Sequence, residues 1–456
     1  MNMAKGSERD LATMLGDPKK AIAAMTVPML VSYVVMEVNL FVDTFWTSGL
    51  GPEASSAIST VAPLYAIFGA FGVGLGVAAS ATISFRLGKG DKEGASALAG
   101  NTMALGVLVS IAVSAAVFLL MGPLMEFMGA DDIADLGREY IMPFVLTSWA
   151  LILHSIVAGI LRAEGGGRRS MAVLVTSAVV NMALDPILIY VLGFRLTGAA
   201  TATSFSAMAA TAVGLSWYRS GKMNLRLTRR CFILTKEGIM DIVGVFVPRT
   251  TESLINNVII IVQRVFVIAC AGTIGVMYFN MPWRFVMLGC IPAQAIGASM
   301  IPVCSSALGQ GRPDKMTEGV RYSVKLTLLV SAALSVIIIV FADQMVSAFT
   351  YSESMAEHKE TLAWVLRLYG FALVPFALTS LGSSVLQALR RSKMATGVTF
   401  VWAFIKLAAV YVASLYSFEA VIYALVLCHY VILAMMAAVV YREIRMKKNA
   451  APPTPI

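Results

Sequence analysis

The apolar residues of this chain fall into twelve long blocks, and the polar residues collect in the short gaps between them. The blocks cover residues 23–48, 57–86, 98–121, 138–162, 169–193, 197–219, 237–270, 274–308, 321–345, 360–389, 394–416 and 417–441. A helix needs roughly 20 apolar residues to cross the hydrocarbon of a bilayer, and each block is near or above that length. The blocks are continuously apolar rather than short and alternating, which predicts helices and not a closed barrel of strands. The expectation is an all-α polytopic membrane protein with twelve transmembrane helices.

Composition agrees. Of 456 residues, 58% are hydrophobic and only 13% charged, against about 25% charged in a soluble domain. The mean hydropathy is +0.79. The formal net charge of +9 would fit a nucleic-acid partner if the charges formed one patch, but they do not. Most of the basic residues lie in alternate gaps: Lys5, Arg9, Lys19 and Lys20; Arg86, Lys89 and Lys92; Arg162, Arg168 and Arg169; and the stretch from Arg219 to Lys236. In the second half they are Arg312, Lys315, Arg321 and Lys325; Arg390, Arg391 and Lys393; and Arg442, Arg445, Lys447 and Lys448. The other gaps hold Arg138, Arg195 and Lys359 beside Glu53, Glu126, Asp131, Asp132, Asp135, Asp343, Glu353 and Glu357. By the positive-inside rule both termini are then cytoplasmic in a multi-pass protein of the cell membrane, and no nucleic-acid partner is expected. Residues 1–22 read as a cytoplasmic tail, with no cleavable signal. The five cysteines are scattered and suggest neither a disulfide framework nor a metal site.

The two halves repeat. The turn after the second block, RLGKGDKEG, aligns with ALGQGRPDK after the eighth when Gly88 and Gly90 are set on Gly309 and Gly311. Arg168-Arg169-Ser170 after the fourth block aligns with Arg390-Arg391-Ser392 after the tenth at nearly the same offset. This predicts two six-helix lobes of the same topological sense. The N-lobe would be 23–219 and the C-lobe 237–441, with a cytoplasmic linker at 220–236 and a cytoplasmic tail at 442–456.

Two carboxylates interrupt apolar blocks of the first half, Asp43 in NLFVDTFW and Asp185 in NMALDPILIY. An aspartate at mid-membrane costs about 2.5–3.5 kcal/mol on insertion scales, so such groups mark ion or proton paths. Asn39 and Asp43, like Asn181 and Asp185, are four apart and share a helix face. Converging oxygens of this kind suit a hard cation such as Na⁺, and two neighbouring carboxylates can instead share a proton. At the repeat offsets Asp43 faces Arg264 and Asp185 faces Leu407, so the anionic site belongs to the first lobe alone. Pro186 removes a backbone hydrogen bond directly after Asp185. Glu37 and Glu252 are candidate cavity or coupling acids, with Asn39 beside them; Arg249 and Glu252 are also spaced as an i,i+3 ion pair. Arg264, Arg284 and Lys406 stand within second-half blocks, and His154 reads as a core histidine. The run GAFGVGLGVAAS would let helices pack closely. Lacking a preceding strand, it is no nucleotide loop.

Pro28 with FVDTFW, the GKGD turn, LRAEG, the N-x-x-x-D-P of NMALDP, and GAATAT resemble the multidrug and toxic compound extrusion (MATE) family, nearest its archaeal and DinF-like branch. The resemblance implies a V-shaped two-lobed monomer that exports drugs or other organic, often cationic, amphiphiles against Na⁺ or H⁺ from a membrane lipid environment, without other cofactors. It places the coupling cation at Asp43, Asn181, Asp185 and Thr203, and makes Pro28 a point of helix bending. A lipid-linked-substrate flippase of the same superfamily is the alternative; an intramembrane enzyme would need a nucleophile–base or metal constellation that the aspartate segments do not offer.

Overall fold

The computed structural model describes residues 2–127, 133–347, 350 and 353–449. Asp131, Asp132 and the last seven residues of the expected C-terminal tail lie outside them. The described residues form helices and no strand. In chain order these are α1 (Asn2–Leu15), α2 (Pro18–Ser48), α3 (Pro52–Gly88), α4 (Lys92–Phe127), α5 (Ala134–Ala163), α6 (Gly167–Pro186) and α7 (Arg195–Arg219). They continue as α8 (Lys236–Gly309), α9 (Pro313–Val340), the short α10 (Ala342–Ser347) and α11 (Glu353–Ala356), then α12 (Lys359–Ala388), α13 (Ser392–Ser414) and α14 (Phe418–Asn449).

Ten of these helices are long and apolar enough to cross a membrane. Two features bring the crossings to twelve. α8 spans 74 residues and reverses at Gly272, whose φ of 63° and ψ of −163° lie outside the helical region; glycine reaches that conformation without steric cost. α7 is 25 residues long but rich in Ala, Ser and Thr, so its hydropathy is lower.

Local chemistry sets the helix ends. Asp17 caps α2, its Oδ1 accepting from the backbone N–H of Lys19 at 2.8 Å and of Lys20 at 3.1 Å, with Pro18 at the first helical position, where a missing N–H costs nothing. Thr235 Oγ1 accepts from the Gly238 N–H at 3.2 Å and opens α8. α2 runs unbroken through Pro28. α6 runs to Pro186 and then widens into a π-turn over Ile187–Val191, closed by the Leu192 N–H donating to Ile187 O at 2.8 Å.

Helices α2–α7 pack on one another as one lobe, α8–α14 as the other, and the lobes meet chiefly along α3 and α8. Small residues allow the close approaches. A Cβ on Gly159 of α5 would stand 2.2 Å from Gly76 O of α3, which explains the glycine-rich run of α3. At the basic end, a Cβ on Gly88 would lie 2.1 Å from Ser306 O, and one on Gly309 would lie 2.1 Å from Phe85 O. Gly88 and Gly309 are repeat mates, and so are Phe85 and Ser306, so one contact is made twice across the lobes. The following glycines, Gly90 at φ 79° and Gly311 at φ 69°, turn the chain alike in both halves.

Ion pairs reinforce this end. Arg86 of α3 reaches Asp241 of α8 at 3.2 Å and also pairs with Glu237, while Arg390 joins Asp241 from the α12–α13 turn. Lys19 pairs with Glu318 at 2.8 Å. The segment expected as a tail is folded: α1 lies across the same end, with Leu15 O accepting from Gln310 and Lys315, and Asp10 paired with Arg169.

Candidate functional site

Two polar regions sit inside this frame, one within the first lobe and one between the lobes. In the first lobe α2, α6 and α7 meet. Asn39 Nδ2 donates to Asn181 Oδ1 at 2.9 Å, and Asn181 Nδ2 donates to Asp185 Oδ1 at 3.0 Å and to Thr203 Oγ1 at 3.4 Å. The i,i+4 spacing on α6 stacks Asn181 over Asp185 as its periodicity requires. Asp185 is fully buried. Two oxygens of the chain, Asp185 Oδ2 and Asn39 Oδ1, are buried with no hydrogen-bond partner. Asp43 stands one turn beyond Asn39, within electrostatic reach of Asp185, Tyr65 and Tyr140. The structure thus joins Asn39, Asn181, Asp185 and Thr203 by hydrogen bonds and sets Asp43 beside them. Orphaned buried acceptors carry a desolvation cost that a cation or proton would relieve. An oxygen-only donor set fits Na⁺ as well as a proton.

The second region is a cavity of about 580 Å³ between the lobes, lined by α2, α3, α5, α6, α8, α12, α13 and α14. Its α3 wall runs from Ala66 to Ser80 and its α8 wall takes in Arg249–Asn257 and Gln294–Ile301, while the contacts of Gly88 with Ser306 and of Gly309 with Phe85 join the lobes beyond it at the basic end. Glu252 is on the wall, and both its oxygens are engaged. Ser383 Oγ lies 2.7 and 2.9 Å from them, Arg249 pairs with Oε2 at 3.1 Å, and Gln387 Nε2 donates to Ser383 Oγ at 2.9 Å. The expected i,i+3 ion pair is therefore present and faces the cavity. Glu37 is not on this wall; Tyr33 and Met36 of the same helix are. Arg264 and Arg284 are exposed, with no ion pair among the described residues. His154 lines the cavity with a buried, unpartnered Nε2.

Sequence reasoning grouped Arg162 with a basic turn and left the role of Lys406 open. Arg162, grouped with the basic connection after the fourth block, is 9% exposed and forms part of the cavity wall. Lys406 is 7% exposed, with Nζ 4.6 Å from the centroid of the wall residue Trp402. The available signal was their position inside or directly against apolar runs.

The sequence model of the MatE family matches residues 28–187 and 248–412, one segment in each lobe. The chain belongs to the MatE family. Among relatives, this MATE chain is 24% identical over 382 residues to a FAD transporter of Shewanella oneidensis, covering 82% of each protein. It is 22% identical over 385 residues to the multidrug export protein MepA of Staphylococcus aureus, covering 83% of each. Among solved structures, a MATE crystal structure in complex with MaL6 superposes with a TM-score of 0.92 at 28% identity, covering 96% of this chain and 99% of that one. The MATE chain is thus a membrane-embedded transporter of small molecules in two six-helix lobes, and not an enzyme.

Proposed function

We propose that this MATE protein exports small amphipathic molecules by alternating access, driven by inward movement of Na⁺ or H⁺ through the first-lobe site. The observation that carries the reading is the Asn39–Asn181–Asp185 chain with its two orphaned oxygens, beside the second carboxylate of Asp43. Asp185 Oδ2, Asn39 Oδ1, Asp43 and Thr203 would hold the coupling cation, or the two carboxylates would share a proton. Each unit charge crossing the membrane potential supplies about 2.3 kcal/mol per 100 mV. With the basic end in the cytoplasm of the cell membrane, the closed end faces inward and the cavity outward. Release of the Gly88–Gly309 contact and of the Arg86–Asp241 pair would then open the inward path, with Pro28 and the π-turn after Pro186 as places where helices can flex. A monomer encloses both sites.

In proteoliposomes, Asp43→Asn and Asp185→Asn are expected to abolish gradient-driven solute movement in folded protein. Undiminished movement by both variants would overturn the coupling role. Thermal stabilisation by Na⁺ over K⁺ across several pH values identifies the ion; stabilisation by acid alone, with transport following only the pH gradient, assigns a proton.

A further inference from the structure

We propose that the cavity between the lobes takes an organic anion bearing an aromatic ring, with its phosphate or carboxylate held by Arg162. This rests on the reading of the chain as an exporter of small molecules and names the charge of what it carries, opposite to the organic cations the family resemblance implies.

The charged residues on the described wall are Arg162, Arg249 and Glu252. Glu252 and Arg249 cancel each other at 3.1 Å, and the Ser383 hydroxyl donates one further hydrogen bond to the carboxylate. Arg162 has no such counterpart. Its guanidinium donates from Nη1 to Ser170 Oγ at 3.2 Å, and no carboxylate stands within ion-pair distance of it among the described residues. A buried charge without a counter-ion is expensive. A guanidinium offers five N–H donors in a planar fork that matches a phosphate or carboxylate. Arg162 therefore leaves donors free at the one place in the wall where positive charge is uncompensated. His154, two turns earlier on α5, adds its unpartnered Nε2, and Arg249 adds a buried, unpartnered Nε.

The aromatic part of the wall points the same way. Tyr33, Phe376 and Trp402 line the cavity and give it aromatic surface. An indole face would ordinarily attract a cationic ligand through its quadrupole. Here Lys406 Nζ already occupies a Trp402 face at 4.6 Å, with no carboxylate partner among the described residues. A second cation on the opposite face would meet that ammonium across one ring thickness and be repelled by it. An anion gains from both Lys406 and Arg162.

Fluorescein and rhodamine 6G share a xanthene ring and carry opposite charge at pH 7, so they separate charge from shape. Binding to the full chain in phosphatidylcholine nanodiscs, read by fluorescence polarisation, is expected to favour fluorescein at least tenfold. Arg162→Gln is expected to weaken fluorescein at least tenfold with little effect on rhodamine 6G, and Arg162→Lys to keep most of the preference. Lys406→Met should narrow the ratio from the other side, and it carries the test if Arg162→Gln does not fold. Equal or tighter binding of rhodamine 6G, or a ratio unmoved by both Arg162→Gln and Lys406→Met, would overturn the proposal. Repeating the titration with phosphatidylglycerol present distinguishes the source of the anion. Displacement of fluorescein assigns the site to a phospholipid headgroup, retention assigns it to a soluble anion, and both support the anion site. The exporter reading fails separately, if neither dye moves with an ion gradient in proteoliposomes while the binding ratio stands.

Discussion

A single methyl group at Gly88 should push the lobes apart at the basic end. The added Cβ would sit 2.1 Å from Ser306 O, whereas ordinary contact begins near 3.4 Å. The obstacle is backbone and not the tip of a flexible side chain, so the strain is relieved only if α3 and α8 separate by about 1.3 Å there. Overpacking of this kind costs about 1–3 kcal/mol, which moves a two-state equilibrium about 5–150-fold. Gly309→Ala meets Phe85 O at the same 2.1 Å and should act alike. The double variant should cost less than the sum, because separation for one methyl relieves the other. Spin labels at the exposed Lys92 and Lys393, one in each lobe, report the separation by pulsed electron paramagnetic resonance in nanodiscs. Gly397→Ala, where a Cβ meets nothing within 4 Å, is the control. The reasoning is refuted if Gly88→Ala and Gly309→Ala leave the distance distribution unchanged, or if Gly397→Ala broadens it equally.

Other outcomes can be checked on the same material. Glu164 is buried where LRAEG meets the linker, and accepts from Tyr218 Oη at 2.8 Å, Asn224 N at 2.8 Å and Leu225 N at 3.3 Å. Glu164→Ala should lower the melting temperature, at about 1–3 kcal/mol for each donor that water does not reach, and Tyr218→Phe should lower it less. Burial pushes the Glu164 carboxyl above its usual range, against the pull of those hydrogen bonds. A raised carboxyl contributes stability that is fully present below its unfolded value of 4.5 and lost as pH rises through the folded one. The difference in melting temperature between wild type and Glu164→Gln should therefore widen in favour of wild type on acidification; a constant difference would show that Glu164 does not titrate this way. The Asp17 cap has the opposite sign. The Lys20 and Lys19 N–H groups hold its carboxyl below the usual 3.8, so its stabilisation is present above that value and lost as pH falls through the lower folded one. Asp17→Asn should match wild type near neutrality and remove this part of the acid loss in thermal unfolding.

Hydropathy and the repeat made the frame legible, because both depend on patterns spread over many residues. The break between 270 and 274 marked the reversal at Gly272, and the low hydropathy of α7 was offset by the regular spacing of the basic turns. The Asn181–Asp185 contact followed from helix geometry, but its link to Asn39 crosses from α6 to α2 and needed the fold. Arg162 was harder. A basic residue at the end of an apolar block reads as a membrane anchor, and only the packing of α5 against α3 through Gly76 and Gly159 puts it on a cavity wall. Lys406 faced Trp402 for a similar reason, since i,i+4 spacing on α13 permits the contact but does not decide which face is covered. α1 was hidden because a short polar amphipathic helix gains its stability from partners, here Gln310, Lys315 and Arg169, that lie far along the chain.

The doubled contact of Gly88 on Ser306 and Gly309 on Phe85 is self-complementary: either half carries both the knob and the socket. Two copies of one six-helix chain could associate through it as an isologous pair about a twofold axis. An identical pair could not, however, hold an acidic site on one side of the axis and Arg264 and Leu407 at the matching positions on the other. Fusion into one polypeptide removes that constraint. It keeps the symmetric seam and frees each half to specialise, one with the Asn39–Asn181–Asp185 cluster beside Asp43 and one with the Glu252–Arg249 wall of the cavity.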